Sequence, residues 1–164
     1  MESFFGWVET LGFSSWVRES GSLWAFPMFL FVHTLGVSIV AGGSAIIDFA
    51  ILGIWPGTPV KPLEKLYPVI WAGFAVNAFT GTGLFMADAS TRGINPDFYI
   101  KLVFVFAGVV LVSRIRKTVF ANPQLDKGPM PSGAKTLAVA SLFCWFAAII
   151  CGRLIAYVGP VAGL

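Results

Sequence analysis

LWAFPMFLFVHTLGVSIVAGGSAIIDFAILGIW, residues 23–55, decides the fold: 33 residues carry only two ionisable side chains, His33 and Asp48. A membrane-spanning helix needs roughly 20 apolar residues rising about 1.5 Å each. This run is about half as long again, so its helix tilts or projects beyond the hydrocarbon. Pro27 sits near the start, where its missing N–H costs nothing. Trp55-Pro-Gly-Thr-Pro ends it.

Three more apolar runs follow, at about 66–87, 99–117 and 135–158. Pro68 opens the second, and the third continues into Arg114-Ile-Arg-Lys. The connection 121–133 is the longest polar loop, and 159–164 is a short tail. Composition agrees with this reading. Of the 164 residues 57% are hydrophobic and 12% charged, with a mean hydropathy of +0.82. Soluble domains are about 25% charged, so this chain cannot cover a water-facing globule. With one His, two Cys and eight carboxylates it has little from which to build a catalytic centre. No nucleotide loop, nucleophile elbow, zinc motif or nucleic-acid surface is present, and a non-enzyme is expected, without nucleic-acid partners. Cys144 and Cys151, both inside an apolar run, read as packing residues.

Residues 1–22 lack the cationic start of a signal peptide, with Glu2 and Glu9 in its place. Phe4, Trp7, Val8 and Leu11 follow helical spacing, which predicts an amphipathic helix in the membrane interface. The expected fold is therefore all-α: an integral-membrane four-helix bundle over 23–158 behind an N-terminal interfacial helix. Its surroundings are the lipid bilayer. Loops one-to-two and three-to-four hold Lys61, Lys65, Arg114, Arg116, Lys117, Lys127 and Lys135, against Arg18, Arg92 and Lys101 on the other side. Positive loops stay in the cytoplasm. Both termini are thus expected in the periplasm of a multi-pass bacterial inner-membrane protein.

Polar groups inside spans are costly and often functional. Depth arithmetic places His33 roughly 13 Å, Thr80 roughly 10 Å, Asn77 roughly 15 Å and Arg153 roughly 8 Å below the outer ends of their helices. His33, Asn77, Thr80 and Arg153 then share one layer, with Lys101 closing it from above. A lone imidazole can bind a haem iron or a pigment magnesium, so His33 is also the candidate metal ligand. The cations suit a propionate, a quinone oxygen or a lipid phosphate. The bland alternative is a hydrogen-bonded packing cluster. Bis-His haem within the chain is excluded, since there is one His. Asp48 is expected to form a structural ion pair at the interface with Arg114, Arg116 or Lys117, the alternative being a proton or cation site. The small residues Gly36, Gly42, Gly43, Gly73, Gly81 and Gly83 suit close packing of helices one and two, the alternative being docking of a neighbouring subunit.

Arg18-Glu-Ser-Gly-Ser-Leu-Trp-Ala-Phe-Pro, His33-Thr-Leu-Gly, Asp48-Phe-Ala-Ile-Leu-Gly, Thr80-Gly-Thr-Gly-Leu-Phe and Asn95-Pro-Asp-Phe-Tyr-Ile-Lys101 occur in order over about residues 15–113. This series resembles an uncharacterised bacterial family of small four-helix inner-membrane proteins. That family is loosely similar to the membrane part of copper-resistance D-type proteins. The family's Asp-Leu-Arg-Leu-Leu-Gly lacks its Arg here, and Ser113-Arg-Ile-Arg-Lys stands where many relatives carry a further His. The resemblance implies the fold and assigns no activity.

The expected function is a non-catalytic accessory subunit of a larger inner-membrane complex, redox or photosynthetic, contacting other membrane subunits. The cofactor is left open between a haem, a chlorophyll-type pigment, a quinone near His33, and none. One alternative is a stand-alone copper- or ion-handling transporter. Another is a small electron-transfer protein. The topology is testable: a membrane-impermeant thiol reagent applied from outside is expected to label Ser90→Cys and to miss Pro129→Cys. The reverse pattern inverts the orientation.

Overall fold

The computed structural model describes residues 2–122 and 125–155. Helices account for the described secondary structure: α1 (Glu2–Thr10), α2 (Gly12–Glu19), α3 (Phe26–Leu52), α4 (Tyr67–Met86), α5 (Ala89–Arg92), α6 (Pro96–Ile115) and α7 (Ser132–Leu154). A 3₁₀ turn, Lys61–Leu66, leads into α4, and a π turn, Arg116–Phe120, extends α6. With these turns included, four helical segments are long and apolar enough to cross a membrane. The chain is consistent with a multi-pass membrane protein.

The helix ends follow local chemistry. Gly53 adopts φ 77°, and α3 stops there, before the expected Trp55. The amides of Gly53 and Ile54 turn back to Ala50 O and Phe49 O at 3.1 Å each, a left-handed cap that glycine enters without strain. α6 begins at Pro96 rather than at residue 99, because Asn95 Oδ1 accepts the Asp97 amide at 2.9 Å. The third run continues as helix past Arg114, as expected, and closes as the π turn. α7 begins at Ser132, directly after Pro131. The expected end of the fourth run at Val158 and the tail 159–164 lie outside the described residues.

α3 packs along α4 and along α7, and α7 packs along α6. The glycines expected to serve packing mostly do so within the chain. A Cβ on Gly36 would stand 3.1 Å from Asn77 Cβ and from Gly73 O. One on Gly73 would stand 2.7 Å from Ile39 Cγ2. Only side chains this small let the two backbones approach. Gly42, by contrast, faces open space. The main core lies towards the end away from the N-terminus, where Ile47, Ile51, Tyr67, Ile115 and Phe120 are nearly inaccessible. At that end Asp126 accepts the amides of Val60 and Lys61 at 2.7 and 2.8 Å, and Lys61 Nζ donates to Phe120 O at 2.7 Å. These bonds fasten the two connections to each other.

The N-terminal segment is two helices rather than one, broken at Leu11. α1 docks on α5, and α2 on α4. Phe5 crosses Phe85 edge to face at 6.2 Å and lies over Gly93, where any side chain would collide with its ring. Phe4, Trp7, Phe13 and Trp16 remain exposed.

Glu9 fastens this segment. Its Oε1 accepts the Ser90 amide at 2.6 Å, and its Oε2 meets Arg18 Nη1 at 3.1 Å. Burial alone would raise the Glu9 carboxyl, but the bonds from Ser90 and Arg18 outweigh it and hold it below the ordinary carboxylate value. A carboxylate lowered by folding contributes stability above its unfolded value and loses it as pH falls through the folded one. The docking of α1 and α2 is therefore expected to be intact at neutral pH and to weaken below about pH 4. Protease cleavage within residues 2–20 should accelerate there, and Glu9→Gln should be cleaved equally fast at pH 7. A pH-independent rate in the native chain would refute this.

Candidate functional site

The sequence places His33 two turns into α3 and Asn77 and Thr80 in the later half of α4. The structure brings the three together. His33 Nδ1 lies 3.1 Å from Asn77 O and 3.1 Å from Thr80 Oγ1. A carbonyl oxygen only accepts, so Nδ1 carries the hydrogen. Thr80 Oγ1 gives its own hydrogen to Val76 O at 2.8 Å and so receives from His33. Asn77 Nδ2 donates to His33 O at 2.9 Å, closing a reciprocal pair between the helices. The ring has room because residue 81 is glycine: a Cβ there would stand 3.0 Å from His33 Cε1. His33 Nε2 keeps its lone pair, with only a 3.5 Å approach from Asn77 Nδ2.

Beside this pair is a cleft of about 280 Å³ lined by all four long helices. His33, Asn77, Lys101 and Arg153 contribute its polar wall, and Val37, Phe74, Val105 and Trp145 belong to the apolar one. Four of the five residues expected in one layer thus share one cleft. The fifth, Thr80, does not line it; it stands behind the ring and orients it. Lys101 lies along Gly152, where an added Cβ would stand in ordinary contact with it, 3.6–3.7 Å from its Cε, Cδ and Nζ. Leu30, Thr34, Ser38, Ile149 and Arg153 on the rim are exposed, so the cleft opens sideways between α3 and α7.

The electrostatics have one sign. Among the described residues neither Lys101 nor Arg153 makes an ion pair. Trp145 is 8% exposed, and its indole N–H has no hydrogen-bond partner. The polar wall therefore offers two cations without an ion pair, beside neutral acceptors on His33 and Asn77. That positive charge suits a guest bearing acceptor oxygens, held by charge-assisted bonds. Trp145 escaped sequence reasoning, because an aromatic inside an apolar run carries no sign of which way its N–H will point.

Asp48 departs from expectation. It forms no ion pair with Arg114, Arg116 or Lys117 among the described residues. Arg116 is instead drawn over the Tyr67 ring, 5.3 Å from its centroid. Tyr67 starts α4 beneath the α3 end and takes the cation that the loop charge suggested for Asp48.

Comparison with protein-family models, with curated proteins and with solved structures finds no match for this chain.

Removing the imidazole leaves Asn77 O and Thr80 Oγ1 without their shared donor. His33→Ala is expected to cost about 1–3 kcal/mol, the range for stranding a buried hydrogen-bond partner. His33→Gln, which can still present an N–H to Asn77 O, should lose less than half of that. Denaturation in detergent of both variants checks this; equal losses would show that the hydrogen bond contributes nothing.

Proposed function

We propose that this chain is a non-catalytic accessory subunit of a larger inner-membrane complex, redox or photosynthetic, and that its cleft holds one ligand by the head. In this reading α3, α4, α6 and α7 cross the bilayer as a four-helix bundle. The exposed aromatics of α1 and α2 lie in the interface, and both termini are periplasmic. The observation that carries the proposal is the convergence of His33, Lys101 and Arg153 on one cleft.

Size and charge narrow the guest. Small-molecule sites typically measure roughly 300–1,000 Å³. At about 280 Å³ the cleft takes a compact head rather than the whole of a macrocycle. A head with carbonyl, carboxylate or phosphate oxygens would meet Lys101 and Arg153, while His33 Nε2 accepts a hydroxyl. Its tail would leave sideways over Leu30 and Ile149 into lipid. A quinone or an acidic lipid fits that description better than a haem or a chlorophyll-type pigment. The residues hold and orient a guest, and none is arranged as a nucleophile beside a base.

The test is native purification in mild detergent, followed by mass and absorbance analysis of the organic extract. About one amphiphile per chain is expected, lost in Lys101→Gln/Arg153→Gln. Native electrophoresis should show the chain in a larger assembly. An extract no richer than that of the double variant would overturn the ligand reading, and migration as a lone chain would overturn the subunit reading.

A further inference from the structure

A second polar cluster lies deeper in the α3–α7 seam and is separate from the cleft. Ser44 and Asp48 stand one turn apart on one face of α3, and Ser141 comes from α7. Their exposures are 2%, 1% and 0%. Asp48 Oδ2, Ser44 Oγ and Ser141 Oγ have no hydrogen-bond partner. The Ser141 hydroxyl faces the Asp48 carboxyl without closing a bond to it.

The two serines behave unlike their neighbours. Thr34, Ser38, Thr80, Thr82, Ser113 and Thr136 all donate to the carbonyl four residues back, the usual resting place of a hydroxyl in an apolar helix. Within the long helices Ser44 and Ser141 are the buried serines that leave that bond unmade, as Ser14 does in α2, and they are the two beside Asp48. Their oxygens are thus available to the seam.

The carboxyl also lacks a counter-charge. Tyr67 is the ionisable neighbour from α4 and supplies no positive charge, and Arg116 stays over the Tyr67 ring. An unpaired carboxylate is not tolerated in such an interior. A proton would neutralise it, but a carboxylic acid needs only one acceptor. The second serine would then be free to turn back onto its helix. A small cation engages all three side chains at once, since carboxylate and hydroxyl oxygens are the donors hard cations take. One carboxylate balances one charge, which makes the cation monovalent.

We propose that Ser44, Asp48 and Ser141 form an occluded site for one monovalent cation of sodium size, held between α3 and α7. The site does not depend on the cleft being filled, and its test is independent of any ligand there.

The purified full chain is melted in NaCl and in choline chloride at equal ionic strength. A site that binds the folded chain alone raises the midpoint with ion concentration. The expected result is a saturable Na⁺-dependent rise, smaller with K⁺ and absent in Asp48→Asn, with about one ²²Na⁺ retained per chain. Equal midpoints in Na⁺ and choline, or an unchanged Na⁺ response in Asp48→Asn, would overturn the proposal. Should Asp48→Asn fail to fold, Ser141→Ala decides: half-saturation should move to about tenfold higher Na⁺, and an unmoved value counts against the site.

Discussion

The close approach of α3 and α4 is the contact on which the rest of the structure depends. Gly36 and Gly73 bring the two backbones together. Only at that separation can His33 reach Asn77 O while Asn77 Nδ2 returns a bond to His33 O. The pair then acts as a polar rivet in an apolar seam. It sets the ring's tautomer, commits Thr80 to the far side of the ring, and leaves Nε2 free. Without it the cleft would lose the wall that carries its acceptor.

Apolar helices also dictate how the other polar groups are placed. Where a hydroxyl has nothing else to do, it folds back onto its own helix, as Thr34 and Ser38 do. Where a charge can reach an end of the helices, it is used there: Lys61 on Phe120 O, and Arg18 on Glu9. Among the described residues most of the exceptions lie on α3 and α7: Ser44 and Asp48 on the first, Ser141 and Trp145 on the second, with Ser14 of α2 apart. Arg153 lies further along α7 with Lys101 opposite, and among the described residues neither makes an ion pair. Unspent polar capacity is expensive in such surroundings. Its concentration along α3 and α7 is the physical ground for the two sites proposed between them.

The N-terminal helices contribute differently. They bury little of themselves and expose an aromatic row. They are held through Phe5 against Phe85 and Gly93, and through Glu9 on Ser90. These are contacts to the end of α4 and to the α4–α6 connection, so the segment braces the end of the helices where the cleft lies. A bracing element with exposed aromatics suits a position where apolar and polar surroundings meet.

Composition and hydrophobic run length determined the helical class and the number of long apolar segments, because neither depends on how helices pack. Helix rise alone was enough to put His33, Asn77, Lys101 and Arg153 at one depth, since depth along a helix is a linear property of the chain. What tertiary structure decided is azimuth, the direction each side chain takes around its helix. Thr80 has the right depth but the wrong side and stands behind the imidazole. Asp48 has the right end for an arginine, yet faces α7, while Arg116 goes to Tyr67. Ser44, Ser141 and the Trp145 N–H carry no mark in the sequence that separates them from ordinary packing residues. They became visible as unpartnered groups only when α3 and α7 were laid against each other, because a hydrogen bond left unmade is a property of two surfaces and not of one chain segment.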